Sequence, residues 1–319
     1  MKAVSAALAL TSFAGRVAAW GAVGHEAVGY VAQAFLAPNA LDFVQTSLGS
    51  KFNESLGPAG PWADEIKSNH AYDWSSALHY VDAEDSPPSS CSVDEERDCA
   101  DGKCILTAIA NYTSRVVDQD LTDAEQSEAL KFLSEHTIDG SYAESHLQFI
   151  GDLGQPLHVE ATKVGGNEIK VKCNGKSTNL HSVNSGIITV LLNGKSAESW
   201  ASDLAKRIKS GGAYASQASD WITCADPSAT LSRRDLSLRE DIWTFLESRA
   251  IKPLKCPLEW AKDANSYDCS TVFTYKNGSD LCTGSYYDDA VKTIELQVAK
   301  QGYRLAAWLN VLFDGDTNL

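Results

Sequence analysis

Apolar positions recur at helical spacing along most of this chain. Residues 24–36, 105–117, 123–133, 141–153 and 196–210 each read as an amphipathic helix. The segment 123–133 is acid-rich at its start, as a helix N-terminus favours. The clearest pattern comes last. Val291, Ile294, Val298, Leu305, Trp308 and Leu312 return at turns of one face, predicting a long buried C-terminal helix. Only 165–175 shows strand alternation, with Ile169 and Val171 between charged residues, and it predicts a short hairpin. The stretch 86–102, rich in Pro, Ser, Asp and Cys, predicts a loop. No internal repeat or long linker divides the chain. The expectation is a mainly α fold in a single domain over 20–319.

Composition changes this picture little. With 44% hydrophobic and 22% charged positions in 319 residues, the chain can bury a sizeable core. Charge changes it more. The 27 basic residues face 42 acidic ones, a formal −15, the wrong sign for a general polyanion binder. Any work on phosphate esters then needs positive charge that is local and metallic.

Residues 1–19 have the form of a secretory signal peptide. Lys2 is followed by an apolar run to Phe13 and by the small residues Val17-Ala18-Ala19. Cleavage there makes Trp20 the first residue; losing Lys2 and Arg16 takes the charge from −15 to −17. No later run is long enough to span a membrane. The expectation is a secreted monomer. Eight cysteines, an even number without a C-x-x-C pair, fit disulfides rather than a cysteine metal site. Asn53, Asn111 and Asn277 begin glycosylation sequons.

Seven histidines are few enough to weigh singly, and four stand in notable surroundings. His25 follows W-G-A-V-G, His79 lies in L-H-Y-V-D soon after W-A-D, His158 closes G-D-L-G-Q-P-L-H, and His181 lies in N-L-H-S. Imidazole and carboxylate are usual zinc ligands. Burying Asp64 or Asp152 in a helical core is costly without a partner, and a metal supplies one. Spacing alone also allows capping or ion pairing by the aspartates and core hydrogen bonds for the histidines.

Longer stretches carry a resemblance. W-G-A-V-G-H (20–25), W-A-D (62–64), L-H-Y-V-D-A-E-D (78–85), C-S-V-D-E-E-R-D-C (91–99) and A-I-A-N-Y-T (108–113) come first. F-I-G-D-L-G-Q-P-L-H (149–158), G-G-N (165–167), N-L-H-S (179–182), D-A-N (263–265) and G-Y-R-L-A-A-W (302–308) follow. In this order they resemble the secreted trinuclear-zinc, single-strand-specific nucleases of the mung bean nuclease type, which share a helical fold with zinc phospholipase C. The resemblance implies that Asp64, His79 and Asp152 hold one zinc. Trp20, through its free amine and carbonyl, holds a second with His25 and the bridging Asp152. His158 and His181 hold a third. It implies that Tyr80 and Val164 sandwich a base whose edge Asp82 reads, with Asn167 nearby, and that Cys91–Cys269 and Cys99–Cys104 are disulfides. Cys173, Cys224, Cys256 and Cys282 stay unassigned, as two more bridges or partly free thiols.

Two ligands of that pattern are replaced. A His belongs four residues before Asp152, one helical turn away, where this chain has Gln148; an Asp belongs four residues after His181, where it has Ser185. His146 lies about 120° off the face of Asp152 on an ideal helix. A neutral amide is a poorer zinc ligand than imidazole. The expected cofactor is zinc, up to three ions and fewer given these losses. The expected function is a secreted zinc phosphodiesterase, with Asp64 and Asp152 at its catalytic centre, cutting single-stranded RNA or DNA to 5′-nucleotides, weakened by Gln148 and Ser185. The alternatives are a member repurposed for non-nuclease chemistry and a non-catalytic descendant that binds nucleotides or a partner.

Overall fold

Helices dominate the computed structural model, which describes residues 20–60, 70–134, 149–224 and 255–319. In chain order they are α1 (Gly21–Gln33), α2 (Pro38–Leu48), α3 (Leu56–Ala59), α4 (Glu95–Asp98), α5 (Ile105–Val117) and α6 (Asp123–Ser134). Then come α7 (Phe149–Leu153), α8 (Val183–Leu192), α9 (Ala197–Ile208), α10 (Lys255–Ser270) and α11 (Gly284–Asp314). A 3₁₀ segment, His70–His79, lies between α3 and α4, and a shorter one, Pro156–His158, follows α7.

The predicted helices 105–117 and 123–133 appear as α5 and α6, and 196–210 as α9, where Ser196 caps the Ser199 amide at 3.2 Å. The predicted 24–36 begins and ends three residues earlier; the chain turns at Ala34–Phe35 before Pro38 opens α2. Of 141–153, residues 141–148 lie outside the described residues. The hairpin is later than 165–175. Strands β1 (Lys170–Cys173) and β2 (Lys176–Asn179) pair antiparallel around Asn174–Gly175, both with positive φ. The loop 86–102 contains α4, capped by Asp94 through the Arg97 amide. Three helices were not predicted: α2, α8 and α10. The reason is plain for two of them. α8 is apolar nearly all round, and α10 hides polar side chains such as Asn265 and Asp268.

α11 organises the interior. It packs on α1, α2, α7 and α8. Ile294 and Val298 enter a cluster shared with α1, α8 and α9, whereas Leu305, Trp308 and Leu312 enter one shared with α2, α5, α6 and α7. Between them the α10–α11 contact is polar: Asp263 accepts from Lys300 at 2.8 Å and Arg304 at 2.9 Å. Trp308 donates its indole N–H to Thr113 at 2.9 Å. A Cβ on Gly302 would come within 2.5 Å of Val31, so glycine here lets α1 and α11 touch. These contacts give D-A-N and G-Y-R-L-A-A-W structural reasons to exist. All eight cysteines pair: Cys91–Cys269, Cys99–Cys104, Cys173–Cys282 and Cys224–Cys256.

Candidate metal and nucleotide site

Five buried polar side chains from separate parts of the chain converge where α1, α7 and the two 3₁₀ segments meet. Asp152 is at the centre and fully buried. Its Oδ1 lies 3.4 Å from His25 Nε2 and 3.5 Å from His158 Nδ1, and its Oδ2 lies 3.3 Å from His79 Nδ1. His158 Nε2 in turn lies 3.1 Å from His181 Nε2. Every one of these rings is under a tenth exposed.

Each is set in place by its own segment. α7 packs against α11, and Gln297 donates to Gly154 O at 2.8 Å just beyond Asp152. Trp20, buried at the start of α1, donates its indole N–H to Gly151 O at 3.0 Å. A Cβ on Gly24 would lie 2.6 Å from the Trp20 Cβ, so glycine there lets the indole fold back beside His25. Gly165, at φ 54°, turns its carbonyl to His181 Nδ1 at 2.7 Å.

The His158–His181 contact has a definite electrostatic meaning. His158 Nδ1 faces the carbonyl of His79 at 2.8 Å, and His181 Nδ1 faces that of Gly165. A carbonyl only accepts, so each Nδ1 carries the proton. In neutral rings each Nε2 then holds a lone pair, and the two lone pairs point at one another. A cation between them, a metal or a proton, resolves the clash. Two imidazoles on one tetrahedral zinc stand ~3.3 Å apart for Zn–N bonds of 2.0–2.1 Å. Three imidazoles around one buried carboxylate, with a fourth against His158, are donors that fit zinc in kind. Among the described residues, no group of three or more His, Cys, Asp or Glu side chains is arranged to hold a metal ion; the donors instead meet one another at hydrogen-bond range.

Of the other expected ligands, Asp64 and Gln148, with His146, lie outside the described residues. Ser185 is half-buried on α8. A Cβ on Gly21 would lie 2.9 Å from its Oγ, so the replaced position still faces the turn that carries Trp20. Tyr80 and Val164 are exposed, at 40% and 62%, and Asp82 is exposed on the same strip as Tyr80. Partial desolvation, with Glu84 and Asp98 adding negative charge, raises the Asp82 carboxyl above its usual range. Asn167 braces the Val164 loop, donating to Val164 O at 2.7 Å. The asparagines that begin the three sequons, Asn53, Asn111 and Asn277, are exposed.

Sequence reasoning missed a second buried cluster beside the first. Asp85, Glu160 and Asp268 group near Asn265, whose amide donates to Asp85 Oδ2 and to Val159 O, both at 3.0 Å. Burial and the nearby Asp85 outweigh the Thr162 amide and push the Glu160 carboxyl up to about 7. Burial, then Glu160 and Asp85, hold Asp268 well above the carboxylate range. The signal was present in two matched motifs, A-E-D at 83–85 and D-A-N at 263–265, to which the resemblance assigns no role.

This constellation sits in a chain whose residues 20–314 match the family model for S1/P1 nuclease. Nuclease PA3 of Penicillium sp and nuclease P1 of Penicillium citrinum are each 40% identical to it over 299 residues, covering 91% of this chain and 97% of theirs. Nuclease S1 of Aspergillus oryzae is 36% identical over 302 residues, covering 92% and 91%. The chain belongs to the S1/P1 nuclease family. It is a nuclease-type hydrolase whose substrate class is nucleic acid. Among the described residues no helix is long and apolar enough to cross a membrane.

Proposed function

We propose that this protein is a zinc-dependent phosphodiesterase that cuts single-stranded RNA or DNA to 5′-nucleotides. The observation that carries this reading is the facing Nε2 pair of His158 and His181, fixed so that a cation belongs between them. On this reading His158 and His181 hold one zinc. Asp64, His79 and Asp152 hold another. The amine and carbonyl of Trp20, exposed by removal of 1–19, hold a third with His25 and Asp152. Zinc, when bound, supplies Lewis acidity and a lowered pKa for water. The chain's own residues do the rest. Asp152 offsets cationic charge in a buried place. The carbonyls of His79 and Gly165 fix two ring orientations. Tyr80 and Val164 hold a base between an aromatic face and an aliphatic edge, which tolerates any base, with Asp82 and Asn167 beside it. The protein works as a secreted monomer, with glycans at Asn53, Asn111 and Asn277.

Gln148 and Ser185 give this chain fewer strong ligands, so it holds less than three zincs tightly and cuts more slowly than a fully liganded site. A second reading, a nucleotide binder without catalysis, draws on the same substitutions together with the exposed Tyr80 and Val164. Metal analysis of the purified mature chain beside a single-stranded RNA digestion separates the two. Bound zinc with cleavage to 5′-nucleotides is the expected result. Nucleotide binding with neither zinc nor cleavage favours the second reading.

A further inference from the structure

Among the described residues the exposed large apolar side chains are Val23, Trp74, Tyr80, Val164 and Leu319. Leu319 ends the sequence. The other four stand on segments that carry the histidine cluster. Val23 lies two residues before His25, Tyr80 directly after His79, and Val164 directly before Gly165. Trp74, at 52% exposure, lies on the 3₁₀ segment that ends at His79.

A 3₁₀ helix has three residues per turn, and side chains three apart eclipse one another. Trp74 and Ala77 therefore fall on one side, and Tyr80, three residues further on, follows directly where the segment ends at His79. Trp74 and Tyr80 are exposed and Ala77 is half-buried between them; Asp73 and Ser76 beside them are also exposed, while Ser75 and His79 are buried. The result is a strip with an aromatic ring at each end and a single methyl group in the middle. At ~2.0 Å rise per residue the ends are about 12 Å apart. That equals three to four nucleotides at the ~3.4 Å spacing of one stacked strand. The outer ring is backed firmly: Trp74 rests on Phe132 at 5.7 Å, Phe132 on Phe149 at 5.7 Å, and Phe149 on His79 at 5.0 Å.

We infer that Trp74 is an outer stacking platform for an unpaired base of a single-stranded polynucleotide, a few nucleotides from the base held at Tyr80. The inference rests on the proposed nuclease reading. It adds a preference for longer single strands, which stacking can give to a chain of net charge −15. Trp74 acts on binding of the strand and does not touch the reacting phosphate.

The test compares a dinucleotide with a single strand of about 12 nucleotides. In Trp74→Ala the kcat/KM ratio of 12-mer over dinucleotide falls roughly tenfold, through KM, and Trp74→Tyr restores it. A second measurement does not depend on the alanine variant folding. A phosphorothioate 12-mer quenches tryptophan emission more in the wild type than in Trp74→Phe, and a dinucleotide quenches both alike. Equal loss on both substrates, no loss on either, failure of tyrosine to restore the ratio, or equal quenching in the two proteins overturns the inference. A wild type that cleaves neither substrate overturns the nuclease reading itself; one that cleaves both with no effect at Trp74 overturns only this inference.

Discussion

Two buried polar clusters lie at either end of the short run from His158 to Glu160, and they resolve burial in opposite ways. On one side three imidazoles surround a single carboxylate, Asp152, and a fourth, His181, meets His158 behind them. Its donors are ring nitrogens, and two of the rings are oriented by backbone carbonyls. On the other side Asp85, Glu160 and Asp268 are carboxyls grouped with one another. That cluster has an excess of negative charge, and the raised affinity of Glu160 and Asp268 for protons answers it. Burying a charge without compensation is costly in both cases. The difference lies in the remedy. Imidazole nitrogens suit a metal, whereas oxygens crowded together hold protons. A short segment thus joins a cation-seeking site to a proton-seeking brace.

The comparison breaks most sharply at Asp152. Replacing it with Asn removes the carboxylate that the imidazoles surround. Activity should fall by more than the ~10–100-fold that outer-shell changes cost in metal sites, and bound zinc should fall with it. Full zinc content and full activity in Asp152→Asn would show that the histidine cluster is an ordinary hydrogen-bonded core. A gain should come from restoring the replaced positions. Gln148→His with Ser185→Asp should raise zinc content towards three ions and hydrolysis about tenfold; no gain in either quantity means that these substitutions do not limit the site. Removing metal from the wild type comes next in size. A chelator should lower the melting temperature by roughly 5–10 °C, from about 2.7 kcal/mol of binding at a hundredfold excess over Kd and 2–4 °C per kcal/mol. Zinc should restore it. The shift should shrink in Asp152→Asn, which leaves only the His158–His181 pair to hold metal, and a shift of the same size in that variant would show that Asp152 holds none.

Much of this was legible in the sequence. The helical periodicity of Val291 to Leu312 gave α11, and uncommon histidines in distinctive settings gave four members of the cluster. What stayed hidden has physical causes. α8, VNSGIITVLL, has no polar face to mark a period, because it is covered on most sides. α10 looked too polar for a core helix, because its buried positions include Asn265 and Asp268 beside Leu258, Trp260, Ala261 and Ala264. The hairpin was placed early because Gly165 and Gly166, which look like turn residues, instead shape the loop that receives His181. The pairings Cys173–Cys282 and Cys224–Cys256 join segments far apart in sequence, which no local pattern encodes. The carboxyl cluster was missed because Asp85, Glu160 and Asp268 come from three separate segments. Each looks like a surface acid until the fold brings them together.

The smallest predicted effect tests the other half of the comparison. Asp268 is fully buried, and its folded pKa lies well above that of an unfolded aspartate because of burial and of Glu160 and Asp85. Between those two pKa values the folded chain binds more protons than the unfolded one, so stability falls as pH rises. The contribution is complete below the unfolded value of ~3.9 and is lost as pH climbs through the raised folded one. Asp268→Asn keeps the shape of the protonated carboxyl and cannot ionise. It should melt like the wild type near pH 4 and a few degrees higher near pH 8, at about 2–4 °C per kcal/mol. Melting curves that stay parallel across that range would mean that Asp268 ionises without cost. The proton-holding brace would then be no different from an ordinary surface acid, and the contrast between the clusters would rest on the histidine side alone.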